Sequence, residues 1–108
     1  MVRDSIIRKI VEKIVTKLNP EKVVLFGSCA WKRSEKDTDV DIFIVKDFKG
    51  KRSEELRNVR RIISEENGEV PIDVLIYRPD EVKRKISEGN SFILKILKDG
   101  RVLYERRD

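Results

Sequence analysis

The chain contains no histidine and a single cysteine, Cys29, among its 108 residues. One cysteine excludes an internal disulfide and a thiolate zinc cluster. Without histidine there is no imidazole to serve as a metal ligand or to activate that thiol, so Cys29 reads as a small buried residue and not as a nucleophile. Any metal site has to be built from oxygen ligands, which points to magnesium, manganese or calcium. The sequence also lacks a signal peptide, a long apolar run, a low-complexity tail, an internal repeat and a linker. These absences predict a cytoplasmic protein with no membrane partner. The length predicts a single domain over 1–108 with one modest hydrophobic core.

Charge is abundant. Lys and Arg number 25 against 20 Asp and Glu, 42% of the chain, for a net charge of +5. The excess would suit a polyanion such as a nucleotide or nucleic acid. Lys and Arg are interleaved with Glu, however, which is the pattern of solvated helix faces and of the surface ion-pair networks of thermostable proteins. A nucleic-acid-binding role without chemistry therefore rests on net charge alone, and nucleic acid is not the expected partner.

Apolar residues at Ile7, Ile10, Val11, Ile14 and Leu18 keep helical spacing until Asn19-Pro20 interrupts them. "KVVLF" then reads as a short buried strand, "SCAWKR" as a single helical turn, "DVDIFIV" as a second strand and "DFKGK" as a loop. Ser53 is placed to cap a helix running to about Asn67, with Gly68 as its stop. "PIDVLIY" is a third strand, Pro79-Asp80 opens a short helix ended by Gly89, and Asn90 can cap another that closes at Gly100. The apolar stripe Phe92, Ile93, Ile96 and Leu97 reads as core, as do Tyr77 and Tyr104 at strand ends. "RVLYE" is a final strand. Helices alternating with strands give an α/β (α+β) class, a small mixed β-sheet covered by helices.

Within "VVLFGSCAWKRSEKDTDVDIFIV", residues 23–45, two aspartates stand on one face of the second strand. Side chains alternate along a strand, so Asp39 and Asp41 share a side with Phe43 and Val45, about 6–7 Å apart. Such a pair can hold one divalent cation, or two about 3.5–4 Å apart if a third carboxylate joins. Asp73, an acid inside the apolar run "PIDVLIY", is the third candidate, because a lone buried carboxylate is costly unless paired or bound to metal. Gly27 allows a tight turn after the first strand. The backbone N–H groups that follow, with the Ser28 hydroxyl, form an anion site fit for phosphate. A phosphate grip beside three oxygen ligands suits phosphoryl or nucleotidyl transfer, where catalysis is largely positioning and charge stabilisation.

Taken together, "LFGS", "TDVDIFIV", "PIDVLIY" and the closing "NSFILKILKDGRVLYE" resemble the nucleotidyltransferase superfamily of DNA polymerase beta, and within it the minimal nucleotidyltransferases (MNT). The resemblance runs from Lys22 onward and implies the nucleotidyltransferase fold. It implies that Gly27 and Ser28 hold the phosphates of a nucleoside triphosphate, ATP by family precedent. Asp39, Asp41 and Asp73 would bind Mg2+ (or Mn2+), and Asp73 would also help deprotonate the attacking hydroxyl. That hydroxyl attacks the α-phosphate and pyrophosphate leaves.

A chain of 108 residues has no room for a substrate-binding domain. The family precedent is an antitoxin that transfers AMP to a tyrosine of a small helical HEPN-type protein. The chain departs from the family after Gly-Ser: Trp31 and Lys32 stand where relatives carry Arg and Gly, and Lys32 or Arg33 is left to supply the displaced positive charge. This departure keeps a second reading open, a degenerate module that neutralises a HEPN partner by docking alone. The basic loop Lys46, Lys49, Lys51 and Arg52 reads as solvated, with guidance of a nucleotide as its alternative. The oligomeric state is left open by the sequence.

Overall fold

The computed structural model describes residues 2–27, 39–66 and 70–107. Helix α1, Val2–Leu18, buries Ile7, Ile10, Ile14 and Leu18, spaced to fall on one side of the helix. It stops where Asn19 adopts a φ of 50° ahead of Pro20. There follow β1 (Lys22–Phe26), β2 (Val40–Val45), α2 (Arg52–Ile63), β3 (Ile72–Tyr77), α3 (Pro79–Ser87), α4 (Ser91–Asp99) and β4 (Arg101–Glu105). Among the described residues the strands form one mixed sheet in the order β3-β2-β1-β4. β1 runs antiparallel to both β2 and β4, and β2 runs parallel to β3. The fold is α+β, as the alternation of elements predicts.

Helices cover both faces of the sheet. On one face Val23, Leu25, Ile42, Ile44, Val74 and Ile76 pack with Ile10 and Ile14 of α1 and Val59 and Ile63 of α2. On the other, Val24, Phe26, Phe43 and Val45 pack with Val82 of α3 and Ile93 and Ile96 of α4. Double coverage is why β1 and β2 read as continuous apolar runs and not as alternating patterns. Each fully buried aliphatic side chain contributes about 1.5–3 kcal/mol through removal from water. Among the described residues no helix is long and apolar enough to cross a membrane.

Two local expectations are met closely. The Asn90 side chain accepts a hydrogen bond from Ile93 N at 3.0 Å and caps α4. Gly100 closes that helix in a place where a Cβ would overlap the Ile96 carbonyl and Val24 Cγ1.

Others are corrected. Ser53 does not cap α2: the helix starts one residue earlier, behind Lys51, with no side-chain cap, and ends at Ile63. A tertiary tether takes the cap's place. Arg52 donates to the Ile76 carbonyl at 3.1 Å and grips Glu81 with both nitrogens, at 3.2 and 2.5 Å. Phe48, within the segment read as a plain loop, is buried in the α1/α2 core, with the Arg78 guanidinium 4.0 Å from its ring centroid. In the basic loop, Lys46 pairs with Glu55 at 2.6 Å and Arg52 with Glu81, so two of its four cations are tied into the fold. Of the apolar stripe on α4, Ile93 and Ile96 are buried but Phe92 keeps 48% of its surface exposed. Asn67 and Gly68 lie outside the described residues.

Candidate active site

The register of the strands brings the acids together. Phe26 on β1 pairs with Asp41 on β2, and Asp41 pairs in turn with Asp73 on β3. Directly paired residues project from the same face of a sheet. The rows beneath are therefore Val24, Phe43 and Leu75, and then Lys22, Val45 and Tyr77. Apart from Lys22, which pairs with Glu105, these rows pack under α3 and α4, with Phe43 and Tyr77 in ring contact at 5.6 Å. Asp41 and Asp73 thus form the polar end of an otherwise apolar face, at the carboxyl end of β1 and the amino ends of β2 and β3. Asp39 stands immediately before β2 at the same end.

Gly27 completes this corner. Its φ of 80° lies in the left-handed region, and a Cβ there would overlap Asp41 Oδ2 and come within 3.0 Å of Asp41 Cγ. Only glycine lets the β1 turn pass this close to the carboxylate while holding that backbone conformation. The requirement is local and steric, independent of the phosphate grip that the Gly-Ser pair suggests.

Electrostatically the corner is negative. The Asp41 carboxyl is pushed above the ordinary carboxylate range, first by its partial burial, then by the charges of Asp73 and Asp39, and further by a side-chain hydrogen bond with Asp73. Asp41 is half-buried, whereas Asp39 and Asp73 are exposed. This corrects the expectation of a buried Asp73: β3 is an edge strand of the described sheet, so its second residue meets solvent and its charge needs no burial to be tolerated.

As the side chains stand, no three acids among the described residues form a ready-made metal cage. The chemistry of Asp39, Asp41 and Asp73 nevertheless fits a hard divalent cation: the donors are carboxylate oxygens, two are adjacent in register, and a third negative charge adds to the field at Asp41. Mutual repulsion of this kind is relieved by a bound cation.

Ser28, Cys29, Trp31, Lys32 and Arg33 lie outside the described residues, as does the helical turn expected there. The loop Lys46, Lys49, Lys51 and Arg52 follows the far end of β2, so it is not beside the acids. The sequence reading passed over two rings at the site's edge. Phe26 sits in the acid row itself, and Phe92 on α4 meets it edge-on, with centroids 6.0 Å apart and planes at 83°. The available signal was that Phe26 directly precedes Gly27 and that Phe92 heads an apolar stripe.

Comparison with known proteins bears on the family and the fold. The family described as polymerase beta, nucleotidyltransferase, matches residues 8–108. A candidate nucleotidyltransferase from Sulfolobus solfataricus, known from a crystal structure, is similar in fold with a TM-score of 0.58 and 22% identity. The match covers 96% of this chain and 81% of that one. No curated protein matches the chain.

Proposed function

We propose, because this chain belongs to the polymerase beta nucleotidyltransferase family, that it is a metal-dependent nucleotidyltransferase which passes AMP from ATP to a hydroxyl of a partner protein. The observation that carries the reading is the register pairing of Asp41 with Asp73 beside Gly27, at one end of an apolar sheet face. Among the described residues no ion pair engages this carboxylate pair, and the field it creates at Asp41 is negative. Function accounts for an arrangement that stability alone does not favour.

Asp39, Asp41 and Asp73 would hold the divalent ion, Mg2+ or Mn2+. When bound, it supplies neutralising charge for the triphosphate. Gly27 keeps the Asp41 carboxylate clear of the backbone turn and, with Ser28, would receive the phosphates. Asp73, exposed at the edge of the sheet, is accessible to the incoming hydroxyl and would take its proton. The new bond joins the hydroxyl oxygen to the α-phosphorus, the α–β phosphoanhydride bond breaks, and pyrophosphate departs with its electron pair.

The partner belongs to this proposal as a small helical HEPN-type protein, with this chain as its antitoxin in the manner of the minimal nucleotidyltransferases. The substitution of Trp31 and Lys32 for the family's Arg and Gly favours one second reading, neutralisation by docking without transfer. Incubation with α-phosphate-labelled ATP, Mg2+ and a HEPN-type acceptor separates the two. Transfer predicts label on a protein hydroxyl with stoichiometric pyrophosphate, both lost in Asp41→Asn. Complex formation without label or pyrophosphate supports docking.

A further inference from the structure

The geometry points to Phe92 as the platform on which the nucleobase stacks, an inference that rests on the nucleotide reading of the acid row. Phe92 lies in the first turn of α4 with nearly half its surface in solvent, 48%, although the next residue, Ile93, is 1% exposed. A large ring left this exposed forgoes the stabilisation that burial would give. Its position is what distinguishes it from the other exposed apolar side chains. The ring packs perpendicular to that of Phe26, and Phe26 is the register partner of Asp41.

Contacts support the assignment. Phe26 pairs in register with Asp41, and its ring centroid stands 6.0 Å from that of Phe92. Phe92 is therefore one ring contact removed from the acid row, within the span of a nucleotide whose phosphates lie at the acids. Phe26, 7% exposed, packs against the Phe92 ring, which keeps 48% of its own surface in solvent. A preformed ring of this kind binds a base through its π-face at little entropic cost.

A phenyl ring carries no hydrogen-bonding group, so Phe92 reads stacking area and not the base edge. It favours a purine nucleotide over a pyrimidine one without separating adenine from guanine. Selection between the two purines falls to other groups.

The test compares ligands with and without a base. ATP and inorganic tripolyphosphate are titrated, each with Mg2+, into the wild-type protein, Phe92→Leu and Phe92→Trp, with folding verified by circular dichroism. Leucine keeps the apolar contact with Phe26 and removes the π-face. The platform predicts that Phe92→Leu weakens ATP binding roughly 5- to 150-fold, the range of base stacking on an aromatic side chain. Tripolyphosphate binding stays unchanged, and Phe92→Trp binds ATP at least as tightly as wild type. Unchanged ATP affinity in Phe92→Leu overturns the platform and leaves the exposed ring to a protein partner. Equal weakening of both ligands overturns it too, because the effect is then on the fold of the site. A wild-type protein that binds tripolyphosphate but gains nothing from the base refutes the platform while sparing the phosphate site. Failure to bind either ligand removes the nucleotide site and the platform with it.

Discussion

Asp41→Asn should stabilise the protein in metal-free buffer at neutral pH, against the usual trend for substitutions at half-buried positions. Asp41 and Asp73 stand opposite each other on parallel strands, which lie about 4.8 Å apart. Two unit charges near 5 Å repel by about 3 kcal/mol at an effective dielectric constant of 20 and by about 0.8 kcal/mol in bulk water. Asp73 is exposed, so solvent screening brings the value toward the lower figure, about 1–2 kcal/mol. For a domain of this size that is a rise in Tm of roughly 4–8 °C.

The dependence on pH has a definite sign. The Asp41 carboxyl is raised in the folded state from its ordinary value of 3.8. Its favourable contribution is fully present below 3.8 and is lost as pH rises through the folded-state value. The advantage of Asp41→Asn should therefore be largest at neutral pH and disappear as pH falls toward 4. Millimolar Mg2+ should raise the wild-type Tm and leave the variant nearly unmoved, since a ligand stabilises only the state that binds it. Thermal melts followed by circular dichroism from pH 4 to 8, with EDTA or with Mg2+, measure all of this. A variant less stable than wild type at pH 7 in EDTA would refute the reasoning, because Asp41 would then hold the fold together.

Three other outcomes can be checked alongside. Gly27→Ala forces a side chain into left-handed backbone and against the Asp41 carboxylate, so it should cost about 1–3 kcal/mol in chemical denaturation and abolish transfer; an unchanged midpoint would contradict the close approach. Glu81→Gln loosens the two-pronged grip on Arg52 and the acceptor for the Arg78 backbone N–H, and should destabilise by about 1–3 kcal/mol. It should leave ATP affinity untouched, because the tether sits at the opposite end of the sheet from the acids; a change in affinity would place the two in one network. Asn90→Ala removes the α4 cap and should cost about 1 kcal/mol in urea unfolding, with no loss indicating that water replaces the side chain.

The elements that were legible in the sequence are those governed by local patterns. The spacing of Ile7, Ile10, Ile14 and Leu18 marked α1, and the alternation through Val40–Val45 correctly put Asp41 on the face of Phe43. Asn90 and Gly100 marked the two ends of α4 through hydrogen bonding and space. What escaped depended on contacts distant in sequence. The start of α2 is set by Arg52 reaching Glu81 and the Ile76 carbonyl, 29 and 24 residues away, so a nearby serine was a poor guide. Phe48 is drawn into the core under the Arg78 guanidinium from a segment with no periodicity of its own.

At the site, the three acids were visible as residues, but not the row that ranks them. Strand order makes β3 an edge, which exposes Asp73 and leaves Asp41 as the carboxyl that bears the strain. Nor could sequence place Phe92 beside Phe26, since that contact depends on how α4 crosses β1.

The central claim is that the acid corner is a working metal–nucleotide site, and calorimetric titration of ATP tests it most directly. ATP is titrated into the wild-type protein with Mg2+ and again with EDTA, with the Asp39→Asn/Asp41→Asn variant as control. The account predicts binding in Mg2+ that is lost both in EDTA and in the variant. Binding of equal strength in EDTA, or in the variant, would contradict it.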